Sequence, residues 1–293
     1  MFRSSDSMPY EPSSAESMAR ADARMTADRN EIKFLVPSSI TANLAKELAG
    51  HLAPHGFWDG SSNLLPDAHH FVTTVYFDTP DRAIFAEATS KEQCVKVRAK
   101  EYYDLHPSLS APGTDLSKLV RYSPVLWLEL KAKHGRRTGK RRIGIPKSEV
   151  PLFFSRGTIT RAMLEIQQDL YGSEGRMVLD ELACLCGRFD QSLEVSALVN
   201  YRRAAWQDRA GELRVTIDRD LGFFRQPPDI WSRCSALVRE SLGEPTAVFD
   251  GCVLEVKAHD NVPAWLDACL HEYGIVPVEF SKFVAASTAL GVE

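Results

Sequence analysis

The chain has 293 residues, 44% of them hydrophobic, and a formal net charge of −4. That length and apolar content suffice for a substantial core, as one large or two small domains, and the acidic balance excludes a generally basic nucleic-acid-binding surface, so any positive site must be local. No apolar run approaches the roughly 18 residues of a membrane-spanning helix and the first thirty residues hold no signal-peptide core, so no membrane span is expected and the expected location is the cytoplasm.

Residues 1–27 are rich in Ser, Ala, Met, Asp and Arg without periodicity and read as a disordered or weakly ordered leader to a single domain over 28–293. The first predicted strand is Arg29–Val36, stopped by Pro37. Ser38 or Ser39 is placed to cap a helix reaching about Leu52, with Ile40, Leu44, Leu48 and Leu52 as its buried stripe. A β-branched and aromatic strand follows at 71–78 and ends in a Thr79-Pro80-Asp81 turn. Strands are predicted at 94–103, 127–133 and 140–145, the last two joined by a basic hairpin tip at 134–139. The Pro-, Ser- and Gly-rich stretch 104–124 reads as a long loop. Residues 147–186 read as largely helical, 198–206, 213–218 and 253–257 as strands, and 262–273 and the C-terminus as helices. About eight mostly antiparallel strands with inserted helices give an α+β chain built around an eight-stranded antiparallel β-barrel.

Six cysteines show neither a CxxC pair nor His partners at zinc spacing, so reduced, mostly buried thiols are expected; Cys184 and Cys186 alternate as strand residues would. His69, His70 and His134 read as surface residues, and the tryptophans as core or rim packing.

The strands themselves carry the functional signal. Alternation puts Lys96, Arg98 and Lys100 on one face, and likewise Glu129, Lys131 and Lys133; Lys140 and Arg142; Arg214 and Asp218; Glu255 and Lys257. Any one such strand reads as the wet side of an ordinary sheet. Five of them, dominated by Lys and Arg with a few acids, read as selected for a polyanion. Turned inward with Lys33, Arg203 and Lys282, they would line a positive tunnel in an otherwise acidic chain. Crowded, partly desolvated cations are costly without an anionic guest, and a chain of phosphates suits Arg forks and Lys point charges.

The order Arg29-x-Glu31-x-Lys33, Tyr76-Phe77-Asp78-Thr79, Lys96-x-Arg98, Leu128-Glu129-x-Lys131, Tyr201-x-Arg203, Arg214-x-Thr216-x-Asp218, Leu254-Glu255-x-Lys257 and Ser281-Lys282-Phe283 resembles the VTC-type polyphosphate polymerase domain over about 29–290. That domain belongs to the triphosphate tunnel metalloenzymes, with the CYTH-type adenylyl cyclases and triphosphatases. The resemblance implies an antiparallel tunnel that binds a triphosphate tail and a divalent cation, Mn²⁺ or Mg²⁺. It implies phosphate contacts from Lys33, Lys96, Arg98, Lys131, Lys140, Arg203, Arg214 and Lys282, to which the shared face adds Arg142 and Lys257. Lys131, Arg203, Arg214 and Lys282 are the expected catalytic residues, and Glu255 the expected metal ligand, with Glu31 and Glu129 secondary. ATP, polyphosphate, pyrophosphate and tripolyphosphate are the expected partners, and no nucleic acid. The implied reaction is transfer of the γ-phosphate of ATP to a growing polyphosphate chain. Hydrolysis of a triphosphate in the same tunnel, or polyphosphate binding without turnover, uses the same cations. Arg29 stands where the superfamily often carries Glu, which points to the polymerase branch with fewer metal carboxylates, and the Ile84–Ala88 stretch lacks the basic residue usual in family polymerases. No regulatory inositol-phosphate-sensing domain or membrane helix is seen, which implies a stand-alone form.

Overall fold

The computed structural model describes residues 30–55, 70–90, 93–103, 124–134, 137–187, 191–232, 235–259 and 261–291. Inside these elements the side chains of 93, 102–103, 131–134, 137–141 and 185–186 fall outside the description. The predicted leader, the 104–123 part of the predicted loop and the Gly135-Arg136 tip lie outside it too.

The strands are β1 (Asn30–Val36), β2 (Ala53–Pro54), β3 (His70–Asp78), β4 (Gln93–Tyr103), β5 (Val125–His134), β6 (Arg137–Pro146), β7 (Glu194–Gln207), β8 (Leu213–Phe224), β9 (Ala247–Val248) and β10 (Cys252–Ala258). The helices are α1 (Thr41–His51), α2 (Ala83–Ser90), α3 (Val150–Arg156), α4 (Arg161–Tyr171), α5 (Gly175–Gly187), the single turn α6 (Arg239–Leu242), α7 (Ala264–Glu272) and α8 (Lys282–Ala289). Eight strands run in the order β1-β10-β8-β7-β3-β4-β5-β6 and every ladder is antiparallel; the two-residue strands β2 and β9 pair with β7 and β8 off this path. The expected eight-stranded antiparallel α+β sheet is therefore present. Its closure differs, because among the described residues no ladder joins β6 to β1.

Instead, each edge is covered by other chain, which protects unpaired strand edges from pairing elsewhere. Val278 N–H donates to Lys33 O at 2.8 Å and Pro277 bridges Phe34, extending the β1 edge. On β6, Gly144 N–H donates to Gln167 Oε1 at 3.2 Å, Gln167 Nε2 donates to Gly144 O at 2.6 Å, and the Tyr171 hydroxyl donates to Arg142 O. The side chains of α4 thus take the place of a ninth strand. Gly144 has to be small here, because a Cβ would come within 2.7 Å of Ile166.

One face of the sheet is greasy and covered by helices. Phe34, Val36, Leu254, Val256, Val215 and Ile217 pack beneath α1 and α7, meeting the stripe of Leu44, Leu48 and Leu52 as expected. Val75, Val97, Leu128, Ile143 and Phe77 pack with α2, α3 and α5. No serine side chain caps α1; a 3-10 turn over Ser38–Ile40 precedes it, and the Thr41 hydroxyl donates to Ser38 O. Asp78, at the end of the 70–78 strand, accepts from the backbone N–H groups of Thr79, Ile84 and Phe85 and so starts α2, a helix absent from the predicted elements. Burial pushes its carboxyl pKa up despite those three donors.

Four smaller expectations are corrected. Cys184 lies in helix α5, not a strand, and is exposed, while Cys94 and Cys252 are buried. His70 is buried rather than on the surface. The basic hairpin is tighter than predicted, since His134 and Arg137 already pair in the ladder. Strands β7 and β8 run further than their predicted spans, because a register shift after Asn200 absorbs the break in alternation.

A buried polar cluster ties β4 to the 235–238 segment. Lys147 pairs with Glu101 and donates to Ser235 O at 2.6 Å, and Glu101 accepts from Leu237 N–H. Removing one partner of a buried pair strands the other charge. Lys147→Met should therefore lower unfolding stability by about 3–5 kcal/mol in denaturant titration, and Lys147→Met with Glu101→Leu should recover a large part of it. Additive losses would show that the pair is not coupled.

Candidate phosphate-binding site

The register assigns the charged residues to a common face. Lys33 stands opposite Glu255, Glu255 opposite Thr216, and Glu31 opposite Lys257, which in turn faces Arg214. Arg203 faces Asp218. Further along, Tyr76 faces Arg98, Arg98 faces Glu129, and Glu129 faces Arg142. Lys96 faces Lys131, and Lys131 faces Lys140 in the ladder; the side chains of Lys131 and Lys140 lie outside the described residues.

This face is concave. On a flat sheet β1 and β4 would stand about 24 Å apart, with side chains roughly perpendicular to the plane. Yet Lys33 Nζ donates to Phe280 O at 2.9 Å, and Lys96 Nζ to the adjacent Ser281 Oγ at 3.0 Å. The next residue, Lys282, pairs with Asp218 on β8 at 2.6 Å and stands 4.9 Å from the Tyr201 ring on β7. Phe283 packs against Tyr76 on β3, ring centroids 5.2 Å apart. Four consecutive residues reach five strands because the sheet curls around them. Ser281 also caps α8 through Val284 N–H, which fixes where Lys282 emerges.

Two wholly buried carboxylates organise the cations. Glu129 accepts from Arg98 Nε at 2.8 Å through Oε2 and from Arg142 Nε at 3.0 Å through Oε1; a second nitrogen of each guanidinium also reaches it, and Lys100 Nζ stands 3.9 Å away. Asp218 takes Arg203 as a fork, Nε to Oδ1 at 2.6 Å and Nη2 to Oδ2 at 2.8 Å, together with Lys282. Burial would raise the Asp218 pKa, but Arg203 and Lys282 outweigh it and hold the carboxyl at about 2. Burial likewise works against the charged forms of Arg98 and Arg203, and Glu129 and Asp218 reverse this, holding both guanidinium pKa values above their ordinary value. For Lys282 burial prevails over Asp218, and its ammonium pKa is lowered. The tyrosines Tyr76 and Tyr201 lie between the two groups; burial raises the Tyr76 phenol, and Arg203 stands 5.4 Å from the Tyr201 ring.

The remaining acids form a separate group. Glu255 Oε1 lies 2.6 Å from Lys257 Nζ, and Glu31 Oε1 lies 3.3 Å from Lys33 Nζ, on diagonal positions of β10 and β1. Burial would lower the Lys257 pKa, but Glu255 and Glu31 raise it overall. Among the described residues no cluster of three or more His, Cys, Asp or Glu side chains could hold a metal by itself. Glu31 and Glu255 nevertheless suit a hard cation that takes one or two carboxylates and completes its shell with phosphate oxygens and water. Glu129, with both oxygens engaged by guanidinium groups, stands apart from them. Arg214 is on the same face, its Nε donating to Gln207 Oε1 at 2.8 Å.

The expected residues Lys33, Lys96, Arg98, Arg142, Arg203, Lys257 and Lys282 thus share one concavity with Arg214. Lys100 and Asp218, expected on the inward faces without a role in the reaction, belong to it, and so does the Phe280 carbonyl, which was not expected. Asp218 was legible from its alternation with Arg214; the carbonyl has no signature in sequence. Two hydroxyls on this face, Thr216 Oγ1 beside Glu255 and Thr74 Oγ1 beside Lys100, are buried without a hydrogen-bond partner among the described residues. Such a group is costly unless something else satisfies it.

No helix among the described residues is long and apolar enough to cross a membrane. No curated protein matches the chain in sequence. A solved protein from Bacillus halodurans, described as a candidate adenylate cyclase, is similar over 89% of this chain and 97% of its own, with 12% identity and a TM-score of 0.46. The family model described as "VTC domain" matches residues 28–290, and the chain therefore belongs to the VTC domain family, a family of enzymes related to triphosphates and polyphosphate.

Proposed function

We propose that the chain is a metal-dependent polyphosphate polymerase that transfers the γ-phosphate of ATP to a growing polyphosphate end within the basic concavity. The observation that carries the reading is the convergence of Lys33, Lys96 and Lys282 at residues 280–282, with Arg203 on the same carboxylate as Lys282 and Arg98 on the strand face of Lys96. Cations gathered this closely on one concave face suit a guest that carries many negative charges in a row.

In this reading Glu129 and Asp218 orient guanidinium groups rather than ligate metal. Arg98 and Arg142 on one wall, and Arg203 with Lys282 on the other, hold the phosphates; Arg214 and Lys257 extend the cationic lining. A terminal polyphosphate oxygen attacks the γ-phosphorus, the bond from that phosphorus to the β,γ-bridging oxygen breaks, and ADP leaves with the electron pair. The chain is then longer by one phosphate. Lys282 and Arg203 stabilise charge on the transferred group, and burial keeps water from competing as the acceptor. Glu255 and Glu31 would hold Mn²⁺ or Mg²⁺, which when bound supplies charge neutralisation at phosphate oxygens.

The decisive test is a time course with ATP and Mn²⁺ or Mg²⁺ that resolves polyphosphate, ADP and free phosphate, with tripolyphosphate in parallel. Polymer accumulating with ADP is the expected result; free phosphate without polymer would assign the site to hydrolysis. Glu255→Gln should lower turnover by about a hundredfold or more, roughly 3 kcal/mol, while tripolyphosphate binding survives. Parental turnover in that variant would remove Glu255 from the metal site.

Thr216→Val separates ligand use from packing. With the partnerless hydroxyl gone, the free protein should gain about 1 kcal/mol of stability, and its thermal stabilisation by tripolyphosphate should shrink. A stabilised variant with an undiminished ligand shift would leave Thr216 without a part in binding.

Asp218 generates a pH dependence of known sign. Its folded pKa, about 2, lies below the ordinary 3.8, so its contribution is present above about pH 4 and is lost as pH falls through 2. The stability gap between the parent and Asp218→Asn should therefore narrow by about 2 kcal/mol between pH 5 and pH 2 in denaturant titrations. A gap independent of pH would mean that Asp218 is not held ionised by Arg203 and Lys282.

A further inference from the structure

The wall of the concavity made by β1 and β10 changes character toward one end. The residues of β1 that face the concavity are Glu31, Lys33 and then Leu35, and their partners on β10 are Lys257, Glu255 and Val253. Both strands therefore run from charged to apolar in the same direction. Leu35 is 41% exposed at that end, although its partner Val253 is wholly buried. A single exposed leucine is ordinary, but this one is not single. Pro277 bridges Phe34, so Val276, which is 67% exposed, follows on beside Leu35. Contiguous apolar exposure of this kind marks a surface that takes a ligand or a partner.

Two aromatic rings stand behind this lip. The ring centroids of Phe249 and Phe280 are 5.2 Å apart at an interplanar angle of 51°, and both side chains are partly buried against the cluster that contains Val253. The position a Cβ would take on Gly251 lies 3.5 Å from Val36 O and 3.7 Å from the Phe249 ring, which sets that ring beside the end of β1. Phe280 is tied to the phosphate-binding face through its backbone: its carbonyl accepts from Lys33 Nζ at 2.9 Å, and Lys282, two residues on, pairs with Asp218. Leu35 in turn follows Lys33 by about 7 Å along the strand. A phosphate chain gains nothing from apolar side chains. A nucleotide does, because its flat base offers two apolar faces to aliphatic and aromatic groups and is joined to its phosphates through one ribose. The short step from Lys33 to Leu35 suits that spacing.

We propose that Leu35, Val276, Phe249 and Phe280 form the subsite for the base of the nucleotide donor, whose phosphates run past Lys33 toward Arg203 and Lys282. The inference rests on the polymerase reading, in which the donor is a nucleoside triphosphate, and it adds the direction in which that donor lies.

The test is calorimetric titration of the full chain with ADP and, separately, with pyrophosphate, both in the presence of Mg²⁺. The two ligands carry the same number of phosphates, so the difference between them reads the nucleoside. The parent should bind ADP about tenfold or more tightly than pyrophosphate. Leu35→Ser with Val276→Ser, both at exposed positions, should remove most of that advantage and leave pyrophosphate binding where it was. Leu35→Trp enlarges the lip and should tighten ADP alone, a gain that misfolding would not produce. Equal affinity of the parent for ADP and pyrophosphate, or an ADP advantage that both variants leave untouched, would overturn the base subsite while the phosphate site stands. Arg98→Ala with Arg203→Ala should weaken both ligands together. If neither ligand binds the parent, the phosphate reading falls and this inference with it.

Discussion

Everything in the concavity depends on two carboxylates removed from water. Glu129 and Asp218 are wholly buried, and an isolated buried carboxylate would simply take up a proton. Each instead binds a guanidinium in bidentate fashion and a further cation, and at Asp218 this holds the carboxyl below the ordinary carboxylate range. The benefit is mutual: Arg98 and Arg203, partly buried in turn, are held charged and pointed by the acids. A planar guanidinium fixed through one edge still offers its remaining N–H groups to a ligand in a known direction. The cost of bringing these groups out of water is met during folding, so less reorganisation remains when phosphate binds.

The same constraint explains why the sheet does not need to close on itself. A closed ring of strand pairs would satisfy both edges; here Lys33 O on β1 is met by Val278, and Gly144 and Arg142 O on β6 by Gln167 and Tyr171. Curvature is fixed instead from inside, by residues 280–283, which touch β1, β4, β8, β7 and β3. The site and the curl of the sheet are therefore one set of interactions. Weakening the Asp218 pairing loosens both.

The faces of the strands were legible because alternation has a period of two and the ladder preserves it from strand to strand. Lys33, Arg98, Arg142, Arg203 and Lys257 could be assigned to one side from sequence alone. What alternation cannot give is distance across the concavity. Glu129 and Glu255 occupy equivalent places in similar Leu-Glu-x-Lys stretches, yet one lies between two arginines and the other beside a lysine and Glu31's strand. Only the neighbouring strands decide which acid anchors two arginines and which pairs with a lysine. The part played by Phe280 was hidden for a simpler reason, since every residue has a carbonyl. The edges were hidden as well: Gln167 and Tyr171 read as ordinary residues of an amphipathic helix until β6 is placed beside them.

The cations fall into two physical kinds, and the difference bears on how a chain of phosphates would be handled. Arg98, Arg142 and Arg203 are tied to buried carboxylates, and releasing them would strand a charge. Lys33 and Lys96 also donate to neutral acceptors, a backbone carbonyl and a serine hydroxyl. A phosphate oxygen is a stronger acceptor than either, and a lysine ammonium on a flexible stem can turn toward it. Fixed forks define where a phosphate must sit; exchangeable ammonium groups can pass it on. A polymerase needs both properties, because a reacting phosphate has to be held in line while the product end must move by one unit after each transfer.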